Sequence, residues 1–121
     1  MEKKKTMVLG ASSNPARTSF LAVNKLRSNN YPDIAIGKKT GTIGNIEIIT
    51  EPKTFKDIDT ITLYLNPANQ KEWYDYILSL QPRRIIFNPG TENDELYDLA
   101  VQNGIMAKEA CTLVLLSTGQ Y

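Results

Sequence analysis

Short, nearly continuous apolar runs alternate along this chain with segments of helical spacing, and that alternation constrains the fold more than any other feature. The runs are Thr6–Gly10, Asp33–Gly37, Thr60–Asn66, Arg84–Asn88 and Ile105–Lys108. Strands that are apolar on both faces belong to a parallel sheet covered by helices on both sides. The expectation is therefore an α/β protein: a single doubly wound, mostly parallel sheet with Rossmann-like topology, in three layers α/β/α, over residues 1–121. A sixth run, Ile46–Ile49, suits an added edge strand. Right-handed crossovers leave few arrangements. The predicted order is 46–49, 33–37, 6–10, 60–66, 84–88, 105–108.

The helices carry their own punctuation. The first should start near Asn14-Pro15, with Asn as N-cap and Pro at the first helical position, and turn Phe20, Val23 and Leu26 inward before ending near Asn29-Asn30. A long second helix is predicted from Ala68 to Leu80, with Trp73, Ile77 and Leu80 on its buried stripe. Pro82 stops it. The third should begin near Thr91–Asn93, with Glu92, Asp94 and Glu95 favouring the positive end of its dipole and Leu96, Leu99 and Ala100 facing inward. Asn103-Gly104 ends it. Phe55 and Ile58 suggest one helical turn after Pro52, and Cys111–Leu116 a short packed helix.

Composition removes whole classes of function. No histidine is present, which excludes a Ser-His-Asp triad, a Cys-His pair and His-ligated metal. One cysteine, Cys111, cannot build an intrachain disulfide or a Cys-rich zinc site, and suits a reducing cytoplasm. With 14 Lys+Arg against 13 Asp+Glu the net charge is +1, so the strongly basic face of a nucleic-acid binder is not expected. Lys3-Lys4-Lys5 reads as a solvated lead-in to the first strand. No apolar run approaches the roughly 18 residues of a membrane span. Met7-Val8-Leu9 falls far short of the roughly 7 to 15 residues of a signal-peptide core. A soluble, cytoplasmic domain is expected.

The predicted winding reverses between strands 6–10 and 60–66. Ligands of open α/β sheets bind at such a reversal, beyond the carboxyl ends of the strands. Two loops should converge there, Gly10–Pro15 and Asn66-Pro67. In the first, backbone amides and the dipole of the following helix favour an anion. Gly10 turns tightly, Ala11 lets a ligand approach, Ser12 and Ser13 add hydroxyls, and Arg17 offers a forked donor to phosphate. The bland alternative is a polar turn without a ligand. The dinucleotide fingerprint G-x-G-x-x-G is broken, since Ser12 and Pro15 stand at its second and third glycines. Nor does an acid follow strand 33–37, as an NAD ribose requires. Lys38 and Lys39 stand there instead. They suit a phosphorylated ribose, as in NADP or coenzyme A, unless they are simply a solvated basic loop.

The Gly10-Ala-Ser-Ser-Asn-Pro loop, Lys39, Asn66-Pro67, Asn88-Pro89-Gly90 and the late Cys111 together resemble the CoA-binding domain family. These are small Rossmann-like proteins similar to the N-terminal domain of the succinyl-CoA synthetase alpha subunit. The resemblance spans nearly the whole chain, although Gly37-Lys38 replaces the Asn-Pro that often precedes the family's lysine. It implies a coenzyme A site at the carboxyl edge of the sheet. Gly10, Ala11, Ser12, Asn14 and Arg17 would hold the phosphates, with Ser13 beside them, and Lys39 would meet the ribose phosphate. Leu65, Asn66 and Pro67 would line the adenine or pantetheine path. Asn88, Pro89 and Gly90 would shape the wall near the thiol end. The ligase's phosphorylatable histidine belongs to a further domain and has no counterpart here, so ligase activity is not implied.

The reading that follows is a module that binds coenzyme A or an acyl-CoA without chemistry of its own, with no catalytic residue and no metal ligand assigned. Lack of histidine leaves no evident general base, though Lys, Tyr or a shifted carboxylate can substitute. The alternatives are a small NADP-dependent reductase, a CoA-dependent transferase acting with a partner, and a nucleotide-sensing interaction protein. Cys111 is either a small packed residue or a thiolate favoured by a helix dipole and able to exchange with a bound thiol. Asp57, Asp59, Glu92, Asp94 and Glu95 form no recognisable catalytic pair or calcium loop. The scattered tyrosines and Trp73 read as packing. Neither nucleic acid nor membrane is expected as a partner, whereas a homo-oligomer through the apolar Leu113–Leu116 tail or an enzyme partner is compatible with the sequence.

Overall fold

A computed structural model describes residues 3–121, so Met1 and Glu2 of the expected 1–121 domain lie outside the described residues. Seven strands form one sheet: β1 (Thr6–Leu9), β2 (Asp33–Ile36), β3 (Gly41–Ile43), β4 (Ile46–Ile49), β5 (Thr60–Leu63), β6 (Arg84–Phe87) and β7 (Met106–Glu109). Their order is β3-β4-β2-β1-β5-β6-β7, and every pairing is parallel except β3 with β4. The fold class and the order of the six expected strands are as the sequence indicates.

Alternation along the strands divides the core between two faces. Met7 and Leu9 point with Ile61, Leu63, Ile85 and Phe87 toward Ile77, Leu96 and Ala100 of the helices α3 (Tyr74–Ser79) and α4 (Asp94–Gln102). Val8, Ala35 and Ile86 point the other way, toward Val23 and Leu26 of α1 (Thr18–Ser28) and Leu115 and Leu116 of α5 (Thr112–Ser117). Burial of each large apolar side chain contributes about 1.5–3 kcal/mol, so both faces drive folding. Helices on both faces leave the carboxyl edge of the strands free to carry a site. The winding reverses between β1 and β5.

Several expectations need correction. Helix α1 begins at Thr18, not Asn14. The Asn14 Oδ1 accepts from the Ala16 amide at 3.0 Å and its carbonyl from Arg17 N–H at 3.0 Å. This closed turn precedes an extended Arg17, which occupies the N-cap without a side-chain bond. The long second helix is three pieces: α2 (Pro67–Gln70), a 3₁₀ turn (Lys71–Trp73) and α3. Asn66 caps α2 by accepting from Asn69 N–H at 2.9 Å. Of the expected stripe, Ile77 is fully buried, while Trp73 and Leu80 are half-buried. Phe55 and Ile58 form no helical turn, because Asp57 between them is left-handed at φ 60°. Leu99 is half-buried rather than core, and β7 starts one residue late at Met106. Strand β3 is new. It pairs Ile43 with Ile46 around Gly44-Asn45, with Gly44 at φ 61°.

Candidate ligand-binding cleft

The loop from β1 to α1 is built around a close approach of three backbone segments. Gly10 takes φ 102°, and a Cβ there would lie 2.9 Å from the Tyr64 carbonyl carbon. The Gly10 and Ala11 amides both donate to the Ile36 carbonyl, each at 2.8 Å. Those two amides are therefore committed to the sheet and are not anion donors, a correction to the expected cradle. Ser12 Oγ accepts from Asn14 N–H at 3.1 Å, which fixes the loop's curl. The Ser12 and Ser13 amides have no hydrogen-bond partner among the described residues. Thr18 and Ser19 open α1, whose first turn contains no acid and has no side-chain cap. Their amides lack intrahelical partners, as the first donors of any helix do. The free donors thus sit slightly further along the chain than the sequence suggests.

These groups face an open cleft of about 750 Å³ at the reversal of the sheet. It brings together the expected Gly10, Ala11, Ser12, Ser13, Asn14, Arg17, Lys39, Leu65, Asn66, Pro89 and Gly90. Lys38, read with Lys39 as suiting a phosphorylated ribose, lines it too, and Thr18, Ser19, Tyr64 and Thr91 join without having been expected there. Placing the helix start at Thr18 would have shown the first two of these four. The lining holds three cations, Arg17, Lys38 and Lys39, and no carboxylate. In a chain of net charge +1 that is a local concentration of positive potential.

Two expected residues do not line the cleft. Pro67 is exposed at the first position of α2, where its missing N–H costs nothing. Asn88 is 2% exposed and fully engaged inside the protein. Its Nδ2 donates to Thr62 Oγ1 at 2.6 Å and to the Leu63 carbonyl at 2.8 Å, and its Oδ1 accepts from Thr112 N–H at 2.9 Å. Asn88 is a staple between β5, β6 and α5. Cys111 is half-buried at the N-cap of α5 and lines neither this cleft nor the next.

A second cleft of about 420 Å³ opens on the other side of the β1 terminus and shares Gly10, Lys38 and Leu65 with the first. Its walls include Ile36, Pro52, Trp73 and Tyr76, with Asn69 and Glu72 at the rim. Trp73 and Tyr76 meet edge to face, ring centroids 5.6 Å apart, and Tyr76 donates to the Lys53 carbonyl at 2.6 Å. The 3₁₀ turn that interrupts the predicted helix presents Trp73 here, and the first turn of α3 presents Tyr76. Burial raises the Tyr76 pKa and pushes that of Tyr64 up to about 12. Both phenols therefore stay neutral near physiological pH and act as apolar walls or donors, not as bases.

Among the described residues no group of His, Cys, Asp or Glu is arranged to hold a metal ion, and no helix is long and apolar enough to cross a membrane. A family model described as a CoA binding domain matches residues 4–117. A solved structure of an uncharacterized protein is 45% identical, covers 100% of both chains and superposes with a TM-score of 0.97. A Thermus thermophilus protein at 17% identity, TM-score 0.86, covers 98% of this chain and 91% of its own. A conserved hypothetical protein from Pyrococcus furiosus, 21% identical with a TM-score of 0.79, covers 93% and 97% respectively. These last two share the fold. No curated protein matches the sequence.

Proposed function

Because this chain belongs to the CoA-binding domain family, we propose that its two adjoining clefts bind coenzyme A or an acyl-CoA. The observation that carries the reading is the first cleft: three cations, unpaired amides at a helix start, and no carboxylate in the lining. That set matches a diphosphate flanked by further phosphate. Ser12, Ser13, Thr18 and Ser19 supply short donors, Arg17 a forked one, and Lys38 with Lys39 point charges for a ribose phosphate. The cleft volume falls in the range of small-ligand sites, roughly 300–1,000 Å³.

The second cleft suits the base. A purine is flat and aromatic, and the Trp73, Tyr76 and Pro52 walls are apolar and lie next to Lys38. The arm beyond the diphosphate then runs along the Leu65-Asn66 and Pro89–Thr91 lips of the first cleft. The first cleft offers no evident general base: the chain has no histidine, that lining has no carboxylate, and Tyr64 stays protonated, while Glu72 stands only at the rim of the second cleft. The protein holds the ligand and presents its free end.

Thermal shift and calorimetry with coenzyme A, dephospho-CoA, NADPH and NADH test this side by side. A ligand at about 100 times its dissociation constant stabilises by roughly 2.7 kcal/mol. Coenzyme A should stabilise most, dephospho-CoA less, and Lys39→Ala should erase the difference between them. Arg17→Ala should weaken both. Stabilisation by NADPH but not by coenzyme A would transfer the site to the reductase reading, and unaltered discrimination in Lys39→Ala would remove that residue from it.

A further inference from the structure

The two lips of the first cleft belong to different loops, Leu65-Asn66 after β5 and Pro89–Thr91 after β6, yet one buried side chain joins them. Gln70 is 0% exposed. Its Nε2 donates to the Leu65 carbonyl at 2.8 Å and to the Thr91 carbonyl at 2.8 Å. Both acceptors belong to residues that line the cleft. Its Oε1 accepts from Asn93 Nδ2 at 2.9 Å. The orientation of the amide is forced, because carbonyls only accept and must face the NH₂ end. Asn93 is fixed in turn: its Oδ1 caps α4 on the Glu95 and Leu96 amides, and its Nδ2 also reaches Tyr74 Oη at 2.7 Å. The far end of the second lip is held by the Asn88 carbonyl, which accepts from Thr91 N–H at 2.9 Å and Thr91 Oγ1 at 2.8 Å.

We infer that Gln70 is a positioning residue that sets the spacing of these two lips and thereby the fit of the ligand's arm beyond the diphosphate. It touches no ligand itself. A buried amide with all its bonds made rigidifies what it joins, and removing one partner leaves the others buried and unpaired. Two loops that share one such amide cannot relax independently. The phosphate donors at Ser12–Ser19 and the cations Lys38 and Lys39 make no bond to Gln70, so their end of the site should be insensitive to it. The inference rests on the coenzyme reading for the identity of the arm, but the coupling of the lips does not.

Two variants test it. Gln70→Met keeps the volume and removes both donors. Asn93→Asp is gentler: it keeps the α4 cap but sets a carboxylate against Gln70 Oε1, which favours turning the Gln70 amide and facing its oxygen to the two carbonyls. In the ligand-free protein, amide exchange should rise at both lips together in either variant. Calorimetry then compares coenzyme A with adenosine 3′,5′-bisphosphate, which has no arm. Affinity for coenzyme A should fall about tenfold, ~1.4 kcal/mol, and affinity for the bisphosphate should hold within about twofold. If Gln70→Met does not fold, Asn93→Asp carries the same comparison. Exchange that rises at one lip or neither overturns the inference, and so does an equal loss for both ligands. If the wild-type chain binds neither ligand, the coenzyme reading falls, and the exchange experiment alone decides the coupling.

Discussion

Two residues at the ends of β2, Asp33 and Gly37, show what single positions contribute. Asp33 opens β2 at the edge of the sheet opposite the cleft, and its Oδ2 is buried without a partner among the described residues. Burial raises its pKa from 3.8 to about 6, against a smaller opposing pull from Arg27. A folded carboxyl that holds its proton more tightly than the unfolded one favours the fold below about pH 4 and loses that advantage as pH rises through about 6. Asp33→Asn should therefore stabilise at pH 8 by about 1 kcal/mol, a figure reduced for the group's partial exposure, and by almost nothing near pH 4. Urea melts at the two pH values check the sign. Gly37 illustrates the opposite constraint. Its φ is ordinary, but a Cβ there would fall on the Ala11 carbonyl oxygen. Gly37→Ala should cost about 1–3 kcal/mol by displacing the loop that carries Ser12 and Ser13, and should weaken phosphate binding in the same titration. No sequence pattern marks such a glycine, because the clash is with a segment 26 positions away in the chain.

At the scale of elements, the strands were legible and the helix ends were not. Short Ile, Leu, Val and Thr runs set between helical segments read as buried strands, whose order follows from crossover rules, although the equally apolar Thr112–Leu116 is helical. Asn14-Pro15 is a sound helix-start signal that here makes a separate turn, and the real N-cap of α1, Arg17, has no side-chain signature. Gly41-Thr42-Ile43 of β3 is too short and polar to stand out in the sequence, although Gly44-Asn45 between Ile43 and Ile46 is a recognised hairpin turn. The break in the second helix follows a similar logic. Trp73 satisfies a helical stripe on paper, yet in the fold it walls the second cleft together with Tyr76. The Asn66 cap, by contrast, is the site loop and the helix start in one residue. Asn66→Ala removes its bond to the Asn69 amide and should destabilise the protein by about 1 kcal/mol. Because α2 has only four residues and Gln70 anchors only its last one, amide exchange at residues 67–70 should rise before that of α4.

For the molecule as a whole, eleven of the residues named from the sequence line one cleft because a switch point is a property of topology, whereas nothing in the sequence marks Gln70 or the inward turn of Asn88. Partner choice by a buried amide depends on which carbonyls the finished fold brings within reach. Charge distribution carries a further consequence at this scale. The chain is nearly neutral, and among the described residues its one ion pair, Arg83 with Asp59 at 3.9 Å, has Arg83 85% exposed. Such a pair contributes little, about 0–1 kcal/mol, so salt should scarcely move the melting temperature of the ligand-free protein. The cleft is different: Arg17, Lys38 and Lys39 gather there with no acid in the lining. Screening shortens the reach of exposed charges from about 8 Å at 0.15 M to about 3 Å at 1 M. Coenzyme A affinity should thus fall several-fold over that interval while the unliganded melting temperature stays put. Dephospho-CoA, with less charge for the lysines to meet, should show the shallower slope. Parallel slopes for the two ligands would mean that Lys38 and Lys39 do not meet the ribose phosphate.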